Sequence, residues 1–379
     1  LDLLHWIAGV SYWKLACRGE VRFAARRPNP FQAEALARIY RDGLAELAWR
    51  NGLDGRYWPE FAADHGGASG RAGHLGMSRR ALVPMGGGKD SLVALERVRA
   101  SGVDFETAQV GSAELIGRVA RRAGARHRVI RRALAPELAQ LNAAGALNGH
   151  VPITAINAAA LVLAALLWDF DAVVFANERS ADMPTLMTPE ARPVNHQFAK
   201  SMAFEALFGE WVGRYVATDL DVFSILRPES ELGVCREFAS LDRYHDVFSS
   251  CNRNFHLDGP RTQRWCGECP KCRFVFLALA PFVSVRGMRE IFGRDLLDEP
   301  GQLAGFSALL ELDGPRPFEC VGEAAEARGA LAALSDHRAW CGHAVVRGLS
   351  PRLAKVEVPA MAGILAARGE HRIPPRFQA

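Results

Sequence analysis

Three groups of residues have types and spacings suited to chemistry. The first is a glycine turn, Gly86, Gly87 and Gly88, which runs straight into Lys89, Asp90 and Ser91 after an apolar run at 81–85. Glycines at a strand-to-helix turn let successive backbone N–H groups converge on an anion, and the following helix adds the positive end of its dipole. The ordinary phosphate loop, G-x-x-x-x-G-K-[ST], is excluded because position 83 is Val and position 90 is Asp. The second group is Cys251 with the closely spaced Cys266, Cys269 and Cys272. Four thiolates are the ligand set of a closed zinc site or of an iron–sulfur cluster. With every position filled by protein, such a metal is structural. The third group is a pair of polar strings in an apolar stretch. Asn177, Glu178 and Arg179 follow an apolar run at 172–176, and Asn195, His196 and Gln197 precede Lys200 and Glu205. A helix over 195–208 would put His196 and Lys200 on one face. A solvated helix end with an ion pair is the competing account of either string.

The elements that must carry these residues follow from periodicity. Short apolar runs at 81–85, 105–110, 127–130 and 172–176 read as strands, and segments 91–100, 113–123 and 153–168 between them as helices. That alternation predicts an α/β fold with a doubly wound parallel sheet. Polar side chains after the 172–176 strand would then stand at a strand's carboxyl end, where such sheets bind ligands. Residues 31–50 have helical periodicity, the glycine-rich stretch 65–76 reads as a loop or boundary, and 274–282 and the leucine-rich segments after Met288 look helical. The expected division is a mostly helical segment at 1–76, an α/β domain with the cysteine site at 77–282, and a mostly helical segment at 283–379.

Composition narrows the class. The chain has 379 residues, 49% hydrophobic and 23% charged, with a formal net charge of only +4, so it reads as globular and net charge indicates no partner. Residues 118–132 hold seven arginines, but basic residues here are nearly all arginine and no aromatics interleave, so a solvated helix face is favoured over an RNA surface and no nucleic acid is expected. The apolar run at 158–168 is shorter than the ~20 residues of a membrane span, and no membrane association is expected. The start lacks an initiator Met and a basic leader region, and further residues are expected before Leu1. Four clustered cysteines among eight suit a reducing compartment, so the expected location is cytoplasmic. Oligomeric state is not legible.

Two local resemblances sharpen these readings. GGGKDS at 86–91 resembles the PP-loop of the ATP pyrophosphatases, with Gly86 where Ser is usual. The resemblance implies that Gly86, Gly87, Gly88, Asp90 and Ser91 grip the pyrophosphate portion of ATP and that Lys89 neutralises its charge. The spacing Cys266, Cys269, Cys272 after an isolated Cys251 resembles the zinc knot of 7-cyano-7-deazaguanine synthase, which favours zinc.

The strings GHVPITAIN (149–157), ANERSA (176–181), NHQFAKS (195–201), WCGECPKCRFVFLALAPF (265–282) and PFECVGE (317–323) together resemble the UDP-N-acetylmuramoyl-L-alanyl-L-glutamate epimerase (MurL) family. The resemblance implies inversion of the terminal L-glutamate of the nucleotide-linked dipeptide, consuming ATP and Mg2+, in peptidoglycan precursor synthesis. Catalytic candidates are then Lys89 and Asp90 on the loop, with Glu178, His196 and Lys200 as acid/base groups. Arg179, Asn177, Asn195 and Gln197 are the candidates for holding substrate. Cys320 is a further acid/base possibility, though packing accounts for it more simply. The alternatives are a PP-loop enzyme that thiolates tRNA and a 7-cyano-7-deazaguanine synthase-like ligase.

Overall fold

A computed structural model describes residues 1–53, 58–65, 70–255 and 263–378. Residues 66–69 of the glycine-rich stretch lie outside the described residues.

Five strands form one parallel sheet: β1 (Arg80–Pro84), β2 (Asp104–Val110), β3 (His127–Ile130), β4 (Ala172–Phe175) and β5 (Asp221–Ser224), in the order β3-β2-β1-β4-β5. The four expected strands are present. β5 was not expected, because four residues with two apolar positions carry too short an alternation to stand out. Side chains alternate across the sheet. Ala81, Val83, Ala172, Val174 and Phe223 face one core, while Leu82, Ala108, Val173 and Val222 face the other.

Helices cover both faces. The first core is closed by Lys89–Ala100, Glu114–Ala123, Glu231–Ala239, Pro270–Leu279 and the C-terminal helices, and the second by Asp2–Ala8, Pro30–Gly43, Ile153–Trp168 and Met202–Tyr215. The expected 31–50 helix is two helices, Pro30–Gly43 and Ala45–Arg50. The first starts on Pro30 behind an Asn29–Gln32 capping box. No helix of the described residues is long and apolar enough to cross a membrane.

The strand order turns back at β1, with β2 and β3 on one side and β4 and β5 on the other. The crevice beyond the carboxyl ends of β1 and β4 is therefore the switch point at which such sheets bind ligands.

Candidate active site

The glycine turn leaves the carboxyl end of β1 at this switch point. Met85 still pairs with β2, its N–H donating to the Ala108 carbonyl at 2.7 Å. Gly87 then takes φ +81°, which a side chain disfavours, and Gly88 caps the Lys89–Ala100 helix. A Cβ on Gly88 would sit 2.6 Å from the Ser250 hydroxyl. The carbonyls of Gly87 and Gly88 accept from the Ser249 N–H at 3.0 Å and the Ser91 hydroxyl at 3.0 Å. The Ser250 hydroxyl is buried without a partner among the described residues. An anion-sized cradle with an unsatisfied donor beside it fits a phosphate.

The Lys89 ammonium is fully buried and pairs with Asp90 and Glu231. Burial opposes its charge, but Asp90 and Glu231 outweigh burial and keep it protonated. Glu231 begins the helix capped by Ser230 and also accepts from Lys271 at 3.2 Å. Lys271 belongs to the Cys269-Pro270-Lys271-Cys272 turn, so the cysteine cluster delivers a cation to the active site.

The four cysteine sulfurs lie within 4.8 Å of one another, with Cys266 and Cys272 3.7 Å apart. Tetrahedral zinc–thiolate bonds of ~2.3 Å imply sulfurs ~3.8 Å apart. The cluster could therefore hold a metal ion as expected. Cys269 also caps the Pro270–Leu279 helix, its Sγ accepting from the Cys272 N–H at 3.4 Å.

Across the crevice, β4 delivers Asn177 and Glu178. Asn177 donates to the Ser224 hydroxyl at 3.1 Å. Glu178 is buried, and burial together with the charges of Glu231 and Asp90 raises its carboxyl to about 8. Arg179 turns away from the crevice. Its guanidinium donates to the carbonyls of Pro228, Ile364 and Ala366, so it fastens the C-terminal segment and is not free to clamp a carboxylate.

The second polar string is helical only in part: Lys200 closes a 3-10 turn at Phe198–Lys200 and Glu205 lies on the Met202–Tyr215 helix. Asn195 Oδ1 accepts from the Gln197 N–H at 2.7 Å, and the helix starts only at Met202, behind the Ser201 cap. These local bonds compete with the helix expected over 195–208. The segment is nevertheless held beside Cys320, since Gln197 bonds the next residue, Val321, and His196 and Lys200 both act electrostatically on the Cys320 thiol. Asn195 Nδ2 donates to the Ala181 carbonyl at 2.9 Å and Gln197 Nε2 to that of Val321 at 3.2 Å, so these amides tie segments together. Glu205 pairs with Arg227 rather than Lys200.

Sequence reasoning passed over Arg227, Glu46, Glu231 and Lys271. Arg227, three residues beyond β5, donates to the carbonyls of Glu178 at 3.1 Å and Lys200 at 2.8 Å, joining the two strings. Glu46, on the Ala45–Arg50 helix, hydrogen-bonds His196 Nδ1 and is held by Arg50 at 2.7 Å. Burial would lower His196, but Cys320 and Glu46 raise it to about 9. Burial would raise Cys320, but Lys200 and His196 bring it down to about 6. Burial also works against Lys200, yet Cys320, Glu178 and Asp90 keep its ammonium charged. Near neutral pH the cluster therefore holds a thiolate between two cations, beside a protonated carboxyl.

Comparison with known proteins places this arrangement. The MurL N-terminal domain matches residues 1–225 and the MurL C-terminal domain residues 247–362. The chain is 48% identical over 382 residues to the UDP-N-acetyl-alpha-D-muramoyl-L-alanyl-L-glutamate epimerase of Xanthomonas oryzae pv. oryzae, covering 99% of this chain and 84% of that protein. A protein of the same name from a Micromonospora species is 40% identical over all of this chain and 84% of its own length. The namesake of Salinispora tropica is 42% identical over 92% of this chain and 76% of its own length. The chain belongs to the MurL family, whose named members are epimerases.

Proposed function

We propose that this protein inverts the terminal L-glutamate of UDP-N-acetylmuramoyl-L-alanyl-L-glutamate to D-glutamate, with ATP as co-substrate, in the cytoplasmic assembly of peptidoglycan precursors. The observation that carries the reading is a glycine turn at the carboxyl end of β1, beside the Ser250 hydroxyl that has no partner among the described residues, with Glu178 buried just beyond the neighbouring strand β4. The names of the relatives supply the substrate.

The chemistry explains why both halves are needed. Removing an α-proton beside an ionised carboxylate would place a second negative charge on the same group. If a carboxylate oxygen attacks the α-phosphorus of ATP, pyrophosphate leaves and the acyl-adenylate no longer carries that charge. Gly86, Gly87, Gly88, Ser91 and the helix N-terminus cradle the phosphates, and Ser250 contributes a free hydroxyl. Asp90, held by Lys89, is the carboxylate that would hold Mg2+, which offsets phosphate charge when bound. A base then removes the proton from one face, an acid returns it on the other, and water releases AMP and the D-glutamyl product. Glu178 is one of these groups, and His196 and Lys200 set the electrostatics. Cys251, Cys266, Cys269 and Cys272 would hold zinc, which would brace the segment that carries Lys271 to Glu231.

Three of the seven arginines at 118–132 are taken up in ion pairs, Arg122 with Asp246 and Arg126 and Arg128 with Glu106, which reduces the basic surface a tRNA-modifying enzyme would use. Incubation with UDP-MurNAc-L-Ala-L-Glu, ATP and Mg2+ should release pyrophosphate and AMP and yield D-glutamate on hydrolysis. Pyrophosphate release that requires tRNA instead would refute the proposal.

A further inference from the structure

We infer that Cys320 is the second proton-transfer group of the active site, a catalytic thiolate that works opposite Glu178 on the α-carbon and is oriented by His196, Glu46 and Lys200. The inference rests on the epimerase reading above and names a group that reading leaves open.

The segment around Cys320 is built to hold one side chain still. Phe318 lies under the Arg50 guanidinium at 5.1 Å, the Val321 carbonyl accepts from Gln197 at 3.2 Å, and the Gly322 carbonyl accepts from buried Arg316 at 2.7 Å. Gly322 has no room for a side chain, since a Cβ there would lie 2.5 Å from the Phe274 ring. The Cys320 thiol stands next to Val321, which Gln197 ties to the His196–Lys200 segment, and the cations His196, Lys200 and Lys271 act on it electrostatically, while the neighbouring Glu319 carboxyl is held by Asn252. Behind His196 stands Glu46, with the His150 ring tilted by 41° against the imidazole at 4.2 Å between ring centres.

A thiol, an imidazole and a carboxylate in series are the arrangement that activates a sulfur base. Cys320 also lies outside the four-cysteine cluster and forms no disulfide. Lys200 interacts electrostatically with both Cys320 and Glu178. In the step proposed, the thiolate takes the α-proton. The C–H bond breaks, an S–H bond forms, and the electron pair moves into the enolate of the activated acyl group. The Glu178 carboxyl then delivers its proton to the opposite face and is left as a carboxylate. Exchange with solvent returns a proton to Glu178 and removes one from Cys320 before the next turnover.

The test uses Cys320→Ser and Cys320→Ala in the full chain, with zinc content and circular dichroism compared with the parent. Each is incubated in D2O with UDP-MurNAc-L-Ala-L-Glu, ATP and Mg2+. Pyrophosphate release and deuterium at the glutamyl α-carbon are read separately. The expected result is continued pyrophosphate release with α-deuterium incorporation reduced a hundred-fold or more. In parallel, iodoacetamide labelling of Cys320, located by peptide mass spectrometry, should show a midpoint near 6 that moves upward in Lys200→Met. Full epimerisation by either cysteine variant overturns the assignment. So does equal loss of both readouts in folded variants, which would assign Cys320 to adenylation. A second metal equivalent lost in His150→Ala overturns it too, by reassigning Glu46, His150 and His196 as ligands. Absence of ATP-dependent pyrophosphate release in the unmodified protein would instead refute the underlying epimerase reading.

Discussion

Replacing Arg227 by methionine removes a guanidinium that is 1% exposed and leaves the Glu205 carboxylate, 4% exposed, without its ion-pair partner. The same change removes the donors to the carbonyls of Glu178 and Lys200. Removing one partner of a buried pair costs about 3–5 kcal/mol, because the remaining charge stays desolvated. Against typical stabilities of about 5–15 kcal/mol, the variant should remain folded in the cold with a much lower urea midpoint. Glu205→Gln in the same background neutralises the stranded charge. The double variant should therefore be at least about 1 kcal/mol more stable than the sum of the single effects. Urea titrations of the four proteins, followed by circular dichroism, measure this coupling. Because Arg227 joins the strings that carry Glu178 and Lys200, α-proton exchange should fall even at temperatures where the variant is fully folded. A loss below about 1 kcal/mol in Arg227→Met, or strict additivity in the double variant, would refute the reasoning.

Asp90→Asn should abolish ATP-dependent pyrophosphate release with little change in thermal stability, and parent-like release in a discontinuous pyrophosphate assay would contradict it. Gly88→Ala should have a similar effect for a steric reason, since its Cβ would collide with Ser250, and Gly88→Ala/Ser250→Gly should recover part of the activity. Cys269→Ser should lose bound metal and unfold at a lower temperature, because a closed thiolate site contributes folding energy through its metal; metal analysis and a thermal melt check this together. Glu178, raised to about 8, binds its proton more tightly in the folded than in the unfolded chain. Its presence therefore costs stability progressively as pH rises from about 4.5 to about 8, and Glu178→Gln should gain on the parent by up to about 1.4 kcal/mol per pH unit across that window. Urea midpoints of both proteins at pH 5.5 and 7.5 test the sign.

What could be read from the chain was what is local. The glycine turn, the four cysteines and four of the five strands are each specified within a few residues, and each is present. The site was legible only in part because half of it arrives from elsewhere. Glu46 comes from the N-terminal helices, Arg227 and Glu231 follow a strand too short to notice, and Cys320 comes from beyond the cysteine cluster. Nothing in the spacing of His196 or Lys200 points to Cys320. Within 195–208 the α-helix begins only at Met202 for a local cause, since Asn195 and Ser201 both offer their side chains to nearby backbone N–H groups. The partners of Lys89 and Arg179 were not legible for a related reason: the fold brings Glu231 to the first, and the carbonyls of Pro228, Ile364 and Ala366 to the second.

The most direct test of the account is turnover of UDP-MurNAc-L-Ala-L-Glu in D2O, with the α-position of the terminal glutamate followed by mass spectrometry and NMR in the presence and absence of ATP and Mg2+. Coupling of the glycine cradle to the proton chemistry predicts deuterium at that carbon, and inversion to D-glutamate, only when both are supplied, with AMP formed in step with product. Deuterium uptake or inversion without ATP would contradict it.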